Sequence, residues 1–322
     1  MLGDTGRVLV TAPGFDTEGE ETGARLGEAG LMVDNAGPRG NRDPLEMARL
    51  VESATAAIVS SDPFTEGVFA AAPELRVVAR LGVGVDNIDL EAAAQAGVVV
   101  TTTPGLNDET CADHALALLL ATVRRVVEHD ASVRRGEWDR GGNLTPWDLH
   151  HKRAGIVGYG RIGQGVIRRL EGFGTEIKVF DPVAPAPAEL TCPALDELLA
   201  WADIVSLHVP LTSSTAGLIG SAELERMGPE AILVTTSRGG VVDEAALVEA
   251  LHDGGLRAAG LDVFEREPPD NGLLRELPNV VLSPHIGGLS RESLHAMGRR
   301  CVQQVLEVLN GNIPEGTVAP AR

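Results

Sequence analysis

From Arg7 to Thr101 short Val-rich apolar runs alternate with longer Ala- and Glu-rich stretches of helical character. The runs Arg7 to Thr11, Leu31 to Asp34, Ala56 to Ser60, Leu75 to Ala79 and Val98 to Thr101 predict strands. The rhythm restarts near Arg153, with strands predicted at Ala154 to Val157, Glu176 to Phe180, Ile204 to His208, Ala231 to Thr235, Ala258 to Leu261 and Val280 to Ser283. Strands alternating with helices predict parallel, helix-covered sheets, so the expected class is α/β with two tandem doubly wound parallel-sheet domains. Between the two sets, Asp108 to Val127 reads as one helix, apolar on more faces than a single core usually needs, which suits a helix bridging domains or covered by a second subunit. A last helix is predicted over Arg291 to Leu309, ended by Asn310-Gly311 and a Pro-containing tail. If it packs on the first unit, two chain crossings join the domains and a cleft lies between them. The stretches Pro182 to Pro193 and Gly141 to Pro146 read as loops.

Composition narrows the class of partner. The chain has 322 residues, long enough for about two domains of ordinary size. It is 43% hydrophobic and 23% charged, as a globular protein is, with a formal net charge of −19. Such a surface excludes nucleic acid or an anionic membrane as the main partner, because phosphate attraction needs a basic face. An anionic small molecule would have to be drawn by a local basic pocket. Three widely spaced cysteines, Cys111, Cys192 and Cys301, suggest neither a disulfide framework nor a metal site, and fit a reducing compartment. No targeting segment is visible in Met1 to Phe15, and the longest apolar run, Ala115 to Val123, is too short to span a bilayer. A cytoplasmic location is expected.

The stretch Gly158-Tyr159-Gly160-Arg161-Ile162-Gly163 has the pattern GxGxxG, which is weak alone and stronger in its setting. It follows a predicted strand, opens an amphipathic helix, and precedes a second strand ending in Asp181, 18 residues past Gly163. Gly158 permits a tight turn, Gly160 lets backbone approach a pyrophosphate at a helix N-terminus, and Gly163 allows close helix packing. Asp181 is then placed for the adenosine ribose hydroxyls, and its charge would repel the extra phosphate of NADP. NAD is the expected cofactor.

Three further residues stand at or just beyond predicted strand ends: Arg238 in Thr235-Thr-Ser-Arg-Gly-Gly, Glu267 after Gly260-Leu-Asp-Val-Phe-Glu, and His285 ending Val280-Val-Leu-Ser-Pro-His. Each alone is more often a surface or structural group. Together they would make a carboxylate-binding arginine, an imidazole acid/base and a carboxylate that tunes it, the equipment for moving a proton on and off a 2-hydroxy acid.

With these in hand the chain resembles the D-isomer-specific 2-hydroxyacid dehydrogenases from about Val77 to the last helix. The motifs are Gly82-Val-Gly-Val-Asp-Asn-Ile-Asp, Gly158-Tyr-Gly-Arg-Ile-Gly, His208-Val-Pro-Leu-Thr, Ser237-Arg-Gly-Gly-Val-Val-Asp-Glu, Gly260-Leu-Asp-Val-Phe-Glu and Ser283-Pro-His. The resemblance implies a Rossmann NAD domain, 104–289, and a flavodoxin-like discontinuous substrate domain, 1–103 with 290–322, usually in a homodimer. It implies that Arg238 binds the substrate carboxylate and carbonyl oxygen, that His285 delivers a proton to that oxygen, and that Glu267 holds His285 protonated. The amides of Val83 and Gly84 would hold the carboxylate. Asp262 would meet the nicotinamide amide, and His208, Pro210 and Thr236 would line the cofactor cleft. Val209, Thr215, Ser237, Gly287 and Pro182 fall in the same cofactor-binding stretches. Thr102, Asp113 and Thr235 stand where the family commonly has Asn, Glu and Asn, which leaves the fine shape of the cleft open.

Arg80 and Arg140 resemble positions that meet the substrate phosphate in the phosphoglycerate dehydrogenase branch, so a phosphorylated or otherwise dianionic substrate such as 3-phosphoglycerate is expected. A glyoxylate or hydroxypyruvate reductase, a dehydrogenase of phosphonate substrates, and an NAD-sensing corepressor-like binding protein are the alternatives. The chain leaves no room for the regulatory domain of many phosphoglycerate dehydrogenases, so feedback by serine is not expected.

Overall fold

The computed structural model describes residues 6–15, 20–40, 42–138, 140 and 145–319. Two compact units emerge, Met1–Asn107 with Leu289–Arg322, and Asp108–Gly288.

In the first unit the strands are β1 (Arg7–Val10), β2 (Met32–Asn35), β3 (Ala56–Val59), β4 (Val77–Arg80) and β5 (Val99–Thr101), with helices α1 (Glu20–Glu28), α2 (Pro44–Val51), α3 (Glu66–Ala70) and α4 (Leu90–Gln95). These strands pair in parallel in the order β5-β4-β3-β1-β2, the flavodoxin-like arrangement. Alternate residues point to opposite faces, and both faces are covered. Val8, Val10, Ile58 and Val77 pack with Met297, Cys301, Val302 and Val305, whereas Leu9, Ala57, Val59 and Val78 pack with Met47, Val51, Val68 and Ala93. Two buried faces explain why β3, β4 and β5 read as apolar runs, whereas the edge strand β2 is exposed. The Pro-containing tail also holds a strand. A strand at Thr317–Ala319, the last of the chain, pairs antiparallel with β5, its small apolar core residue Ala319 buried. Three residues after a proline carry too little periodicity to announce a strand.

The second unit contains α5 (Asp108–Arg124), α6 (Val126–Arg134), β6 (Arg153–Val157), α7 (Arg161–Glu171), β7 (Glu176–Phe180), α8 (Leu195–Trp201), β8 (Ile204–Leu207), α9 (Ser221–Met227), β9 (Ile232–Thr235), α10 (Glu244–His252), β10 (Ala258–Leu261), α11 (Gly272–Glu276) and β11 (Val280–Leu282); α12 (Arg291–Leu309) and β12 (Thr317–Ala319) then return to the first unit. The parallel order is β11-β10-β9-β8-β6-β7. A single bridge, Val179 to Thr191, extends the edge beyond β7. Counting that bridge as a rudimentary strand gives the Rossmann order, with the Pro-rich loop before it too poor in backbone donors to lengthen the pairing.

The helix expected over Asp108 to Val127 breaks at Arg125, whose φ is 51°. Arginine is an ordinary helix former, so nothing local signals the left-handed break. The apolar faces of α5 are used within the unit: Ala112, Ala115, Leu118, Leu119 and Val123 pack with Ile156, Val166, Ile167, Ile232 and Val234. Most of the loop expected at Gly141 to Pro146 lies outside the described residues.

Candidate active site

The turn after β6 is shaped by contacts that exclude side chains. Gly158 has φ 103°, and a Cβ there would lie 2.6 Å from the His208 carbonyl at the end of the neighbouring β8. Gly160, the N-cap of α7, is different: nothing lies within 4 Å of where its Cβ would be, so the space over the helix N-terminus is open. Across the strand ends from this turn, two polar atoms are buried without a hydrogen-bond partner, His208 Nδ1 and Thr236 Oγ1. They directly follow adjacent strands, since Leu207 is paired with Thr235. Burial pushes the His208 imidazole down to about 4, so it is neutral at ordinary pH. Its Nε2 lies 2.8 Å from Ser206 Oγ. An open helix N-terminus beside orphaned buried polar atoms fits a bound dinucleotide. Asp181 accepts from Tyr159 N at 2.7 Å and from Val183 N and Ala184 N at 2.8 Å. Burial alone would raise its carboxyl, but these three amides hold it below the usual range. The anion is therefore fixed in place beside the turn. Thr215, by contrast, spends its hydroxyl on Pro210 O at 2.5 Å.

The carboxyl ends of β9, β10 and β11 carry Arg238, Glu267 and His285. His285 Nδ1 and Glu267 Oε2 are 2.7 Å apart, and Glu267 Oε1 accepts from Phe264 N at 3.2 Å. The second ring nitrogen of His285 has no hydrogen-bond partner among the described residues. With Nδ1–H donating to the carboxylate, Nε2 is the atom left to give or take a proton. Arg238 precedes a short 3-10 turn, Gly239–Val241, and its Nη1 donates to Ser237 O at 2.7 Å. The backbone of Gly239 packs so closely on the Phe264 carbonyl that a Cβ would come within 1.9 Å of its oxygen. Arg238 is thereby tied to the segment that supplies Glu267. Cys111, on the first turn of α5, faces the charges of Asp262 and Arg238; burial first, then nearby carboxylates, push its thiol up to about 12, so it is an inert filler. All three cysteines are free and buried.

Asp262, 1% exposed, follows β10 and turns its carboxylate on the His285 loop. Oδ1 accepts from Ser283 Oγ at 2.6 Å and Ile286 N at 2.9 Å, and Oδ2 accepts from Gly287 N at 2.7 Å. Sequence reasoning passed over His114, whose Nε2 is 2.8 Å from Ser283 Oγ and 3.3 Å from Asp262 Oδ1. A lone histidine in a helix gives no such signal.

In the first unit, the turn after β4 holds Val83, exposed, and Gly84, half-buried. Gly82 N donates to Thr103 Oγ1 at 2.8 Å and Thr103 N to Gly82 O at 2.9 Å. Arg80 is half-buried over this turn, its Nη1 donating to Leu81 O at 2.7 Å. Arg140 is exposed, and Asp139 and 141–144 around it lie outside the described residues. Among the described residues no cluster of metal ligands occurs, and no helix is long and apolar enough to cross a membrane.

A Rossmann-type sheet with an open glycine turn and an Arg, Glu and His at its carboxyl end fits a nicotinamide-dependent oxidoreductase. The profile of the family described as D-isomer specific 2-hydroxyacid dehydrogenase, NAD binding domain, matches residues 116–287. A glyoxylate reductase of Korarchaeum cryptofilum is 46% identical over 267 residues, covering 80% of each chain. A D-3-phosphoglycerate dehydrogenase of Mycobacterium leprae is 43% identical over 274 residues, covering 84% of this chain and 52% of that one. Among solved structures, an NADPH-dependent glyoxylate/hydroxypyruvate reductase of Sinorhizobium meliloti, in complex with NADP and malonate, is 32% identical with a TM-score of 0.85, covering 99% of both chains. The chain belongs to the D-isomer specific 2-hydroxyacid dehydrogenase family and is an oxidoreductase acting on CH–OH donors, with NAD as its cofactor.

Proposed function

We propose that the chain interconverts a 2-oxo acid and a D-2-hydroxy acid, with His285 as acid/base, and that its substrate carries a second anionic group. The observation that carries the reading is the 2.7 Å Glu267–His285 pair with Nε2 left open, beside Arg238 on the carboxyl edge of the sheet. When bound, the nicotinamide supplies the hydride. Arg238 holds the substrate carboxylate and draws electron density toward the carbonyl oxygen, and the amides of Val83 and Gly84 take up the carboxylate. His285 Nε2 then delivers its proton to that oxygen, and Glu267 stabilises the imidazolium until it does. Tyr159, Gly160, Arg161 and Ile162 would receive the pyrophosphate, with His208 Nδ1 and Thr236 Oγ1 as further polar contacts. Asp262 Oδ2, which among the described residues accepts a hydrogen bond from Gly287 N alone, keeps capacity for the nicotinamide carboxamide. Asp181 would favour NAD over NADP, and equal catalytic efficiency with the two cofactors would refute that assignment.

The second anionic group rests on Arg80 and Arg140. One observation favours the rival reading of a glyoxylate or hydroxypyruvate reductase: Arg80 donates to the Leu81 carbonyl and so braces the turn itself. Initial rates of NADH oxidation with glyoxylate, pyruvate, hydroxypyruvate, its phosphate and a phosphonylated 2-oxo acid decide the matter. Arg80→Ala should weaken the phosphorylated and phosphonylated acids by about ten- to a hundredfold, the worth of a charge-assisted hydrogen bond, and spare glyoxylate. Equal losses for all would assign Arg80 to the turn and the chain to short monoanionic acids. A cytoplasmic homodimer completes the proposal. Val126, Val127 and Val133 of α6 are exposed and offer an apolar face for a second copy, which light scattering would detect as a doubled mass.

A further inference from the structure

We propose that His114 is a positioning residue for the proposed acid/base: with Ser283 and Asp262 it forms a relay that holds the His285 turn in its working shape. The inference rests on the reading of His285 given above. His285 has φ 52°, in the left-handed region that a side chain with a Cβ seldom adopts, so something must over-determine the turn. Asp262 is that group. Its carboxylate receives the Ser283 hydroxyl and the amides of Ile286 and Gly287, on either side of His285, while its carbonyl oxygen receives the His285 amide at 2.9 Å.

The direction of each bond can be deduced. Burial would favour a neutral Asp262, but the His114 side chain, the Ser283 hydroxyl and the two amides outweigh it and hold the carboxyl below its usual range. An ionised carboxylate can only accept, so the Ser283 hydrogen points to Asp262 Oδ1. The Ser283 oxygen must then accept from His114, which puts a proton on His114 Nε2. That holds for the neutral ring and the imidazolium alike, so the relay does not depend on the charge of His114. Because α5 is anchored in the core through Ala112, Ala115 and Leu118, His114 links a rigid helix to the turn, and the strained histidine is tied to something that cannot follow it.

Three variants of the full chain test the relay. His114→Phe keeps a ring and removes the donor, His114→Gln restores an amide N–H, and His114→Ala removes both. Two readouts are used: amide hydrogen exchange of residues 283–288, which needs no turnover, and steady-state kinetics with the best 2-oxo acid. For His114→Phe we expect faster exchange at Ile286 and Gly287 and a fall in kcat of about 10- to 100-fold, the penalty for displacing a reacting group by about an ångström, with NADH affinity within about twofold of wild type. His114→Gln should recover most of both. Unchanged exchange in His114→Phe overturns the relay, as does a loss of kcat that His114→Gln fails to recover while retaining wild-type melting. Wild-type protein inactive on every 2-oxo acid would instead refute the functional reading, and the exchange result would still decide the relay.

Discussion

Two turns at strand ends, one in each unit, carry the residues assigned to the substrate, and they are built in opposite ways. The turn after β4 enters a left-handed conformation at Gly82, φ 121°, and closes on a neutral hydroxyl, Thr103 Oγ1. The turn after β11 enters it at His285 and closes on a buried carboxylate, Asp262. In the proposed function the first turn works through backbone amides, so glycine can take the unusual φ at no steric cost. In the same proposal the second presents an imidazole at the turn itself, where glycine could not serve. Left-handed backbone at a residue with a Cβ costs roughly 1–2 kcal/mol. Charge-assisted bonds to Asp262, each roughly 1.5–3 kcal/mol, are enough to offset it. Where chemistry resides in a side chain, the strain stays and the fold must restrain it; where it resides in the backbone, the sequence removes the strain.

The contrast can be broken from either end. The largest effect is expected for His285→Ala, which should lower kcat by about two to four powers of ten, the usual worth of a positioned acid/base, and leave NADH affinity nearly unchanged in a fluorescence titration. Gly82→Ala attacks the other turn. A Cβ there would sit 1.5 Å from Arg80 Nη1 at a φ of 121°, so both the guanidinium and the backbone must shift. We expect KM to rise about tenfold for every 2-oxo acid with little change in kcat, because the turn contributes binding rather than proton transfer. A fall in kcat alone would show that this turn takes part in the chemical step. The smallest effect belongs to Thr103→Val, an isosteric change that leaves Gly82 N without its buried acceptor. It should destabilise the first unit by about 1–3 kcal/mol, read as an earlier unfolding transition in denaturant.

Much of this architecture is legible in the sequence, for reasons that differ between residues. Strands such as Ala56–Val59 and Ala258–Leu261 stand out because both of their faces are buried, making short apolar runs between turn residues. Arg238, Glu267 and His285 could be picked out because each ends such a run, where open α/β sheets place their ligand groups. Left-handed conformation at His285 and Arg125 could not be read, since neither residue type announces it. Nor could the bonds among His114, Ser283 and Asp262, which join residues up to 169 positions apart and exist only once α5 lies against the sheet. The three amides on Asp181 are likewise a property of the folded turn, although the residue itself was marked by its spacing from the glycines.

The central claim, the proposal that Glu267 holds the His285 ring with Nε2 turned to the substrate, is tested most directly by kcat for 2-oxo acid reduction in wild type and Glu267→Gln. Glu267 Oε2 lies 2.7 Å from Nδ1, and a carboxylate that can only accept keeps the proton on Nδ1 and fixes the direction of the ring. A neutral amide, which can turn either its oxygen or its nitrogen to Nδ1, should lower kcat by about a hundredfold, while NADH affinity and the melting temperature stay near those of wild type. An unchanged kcat would contradict the account and leave Glu267 a structural partner of the Phe264 amide.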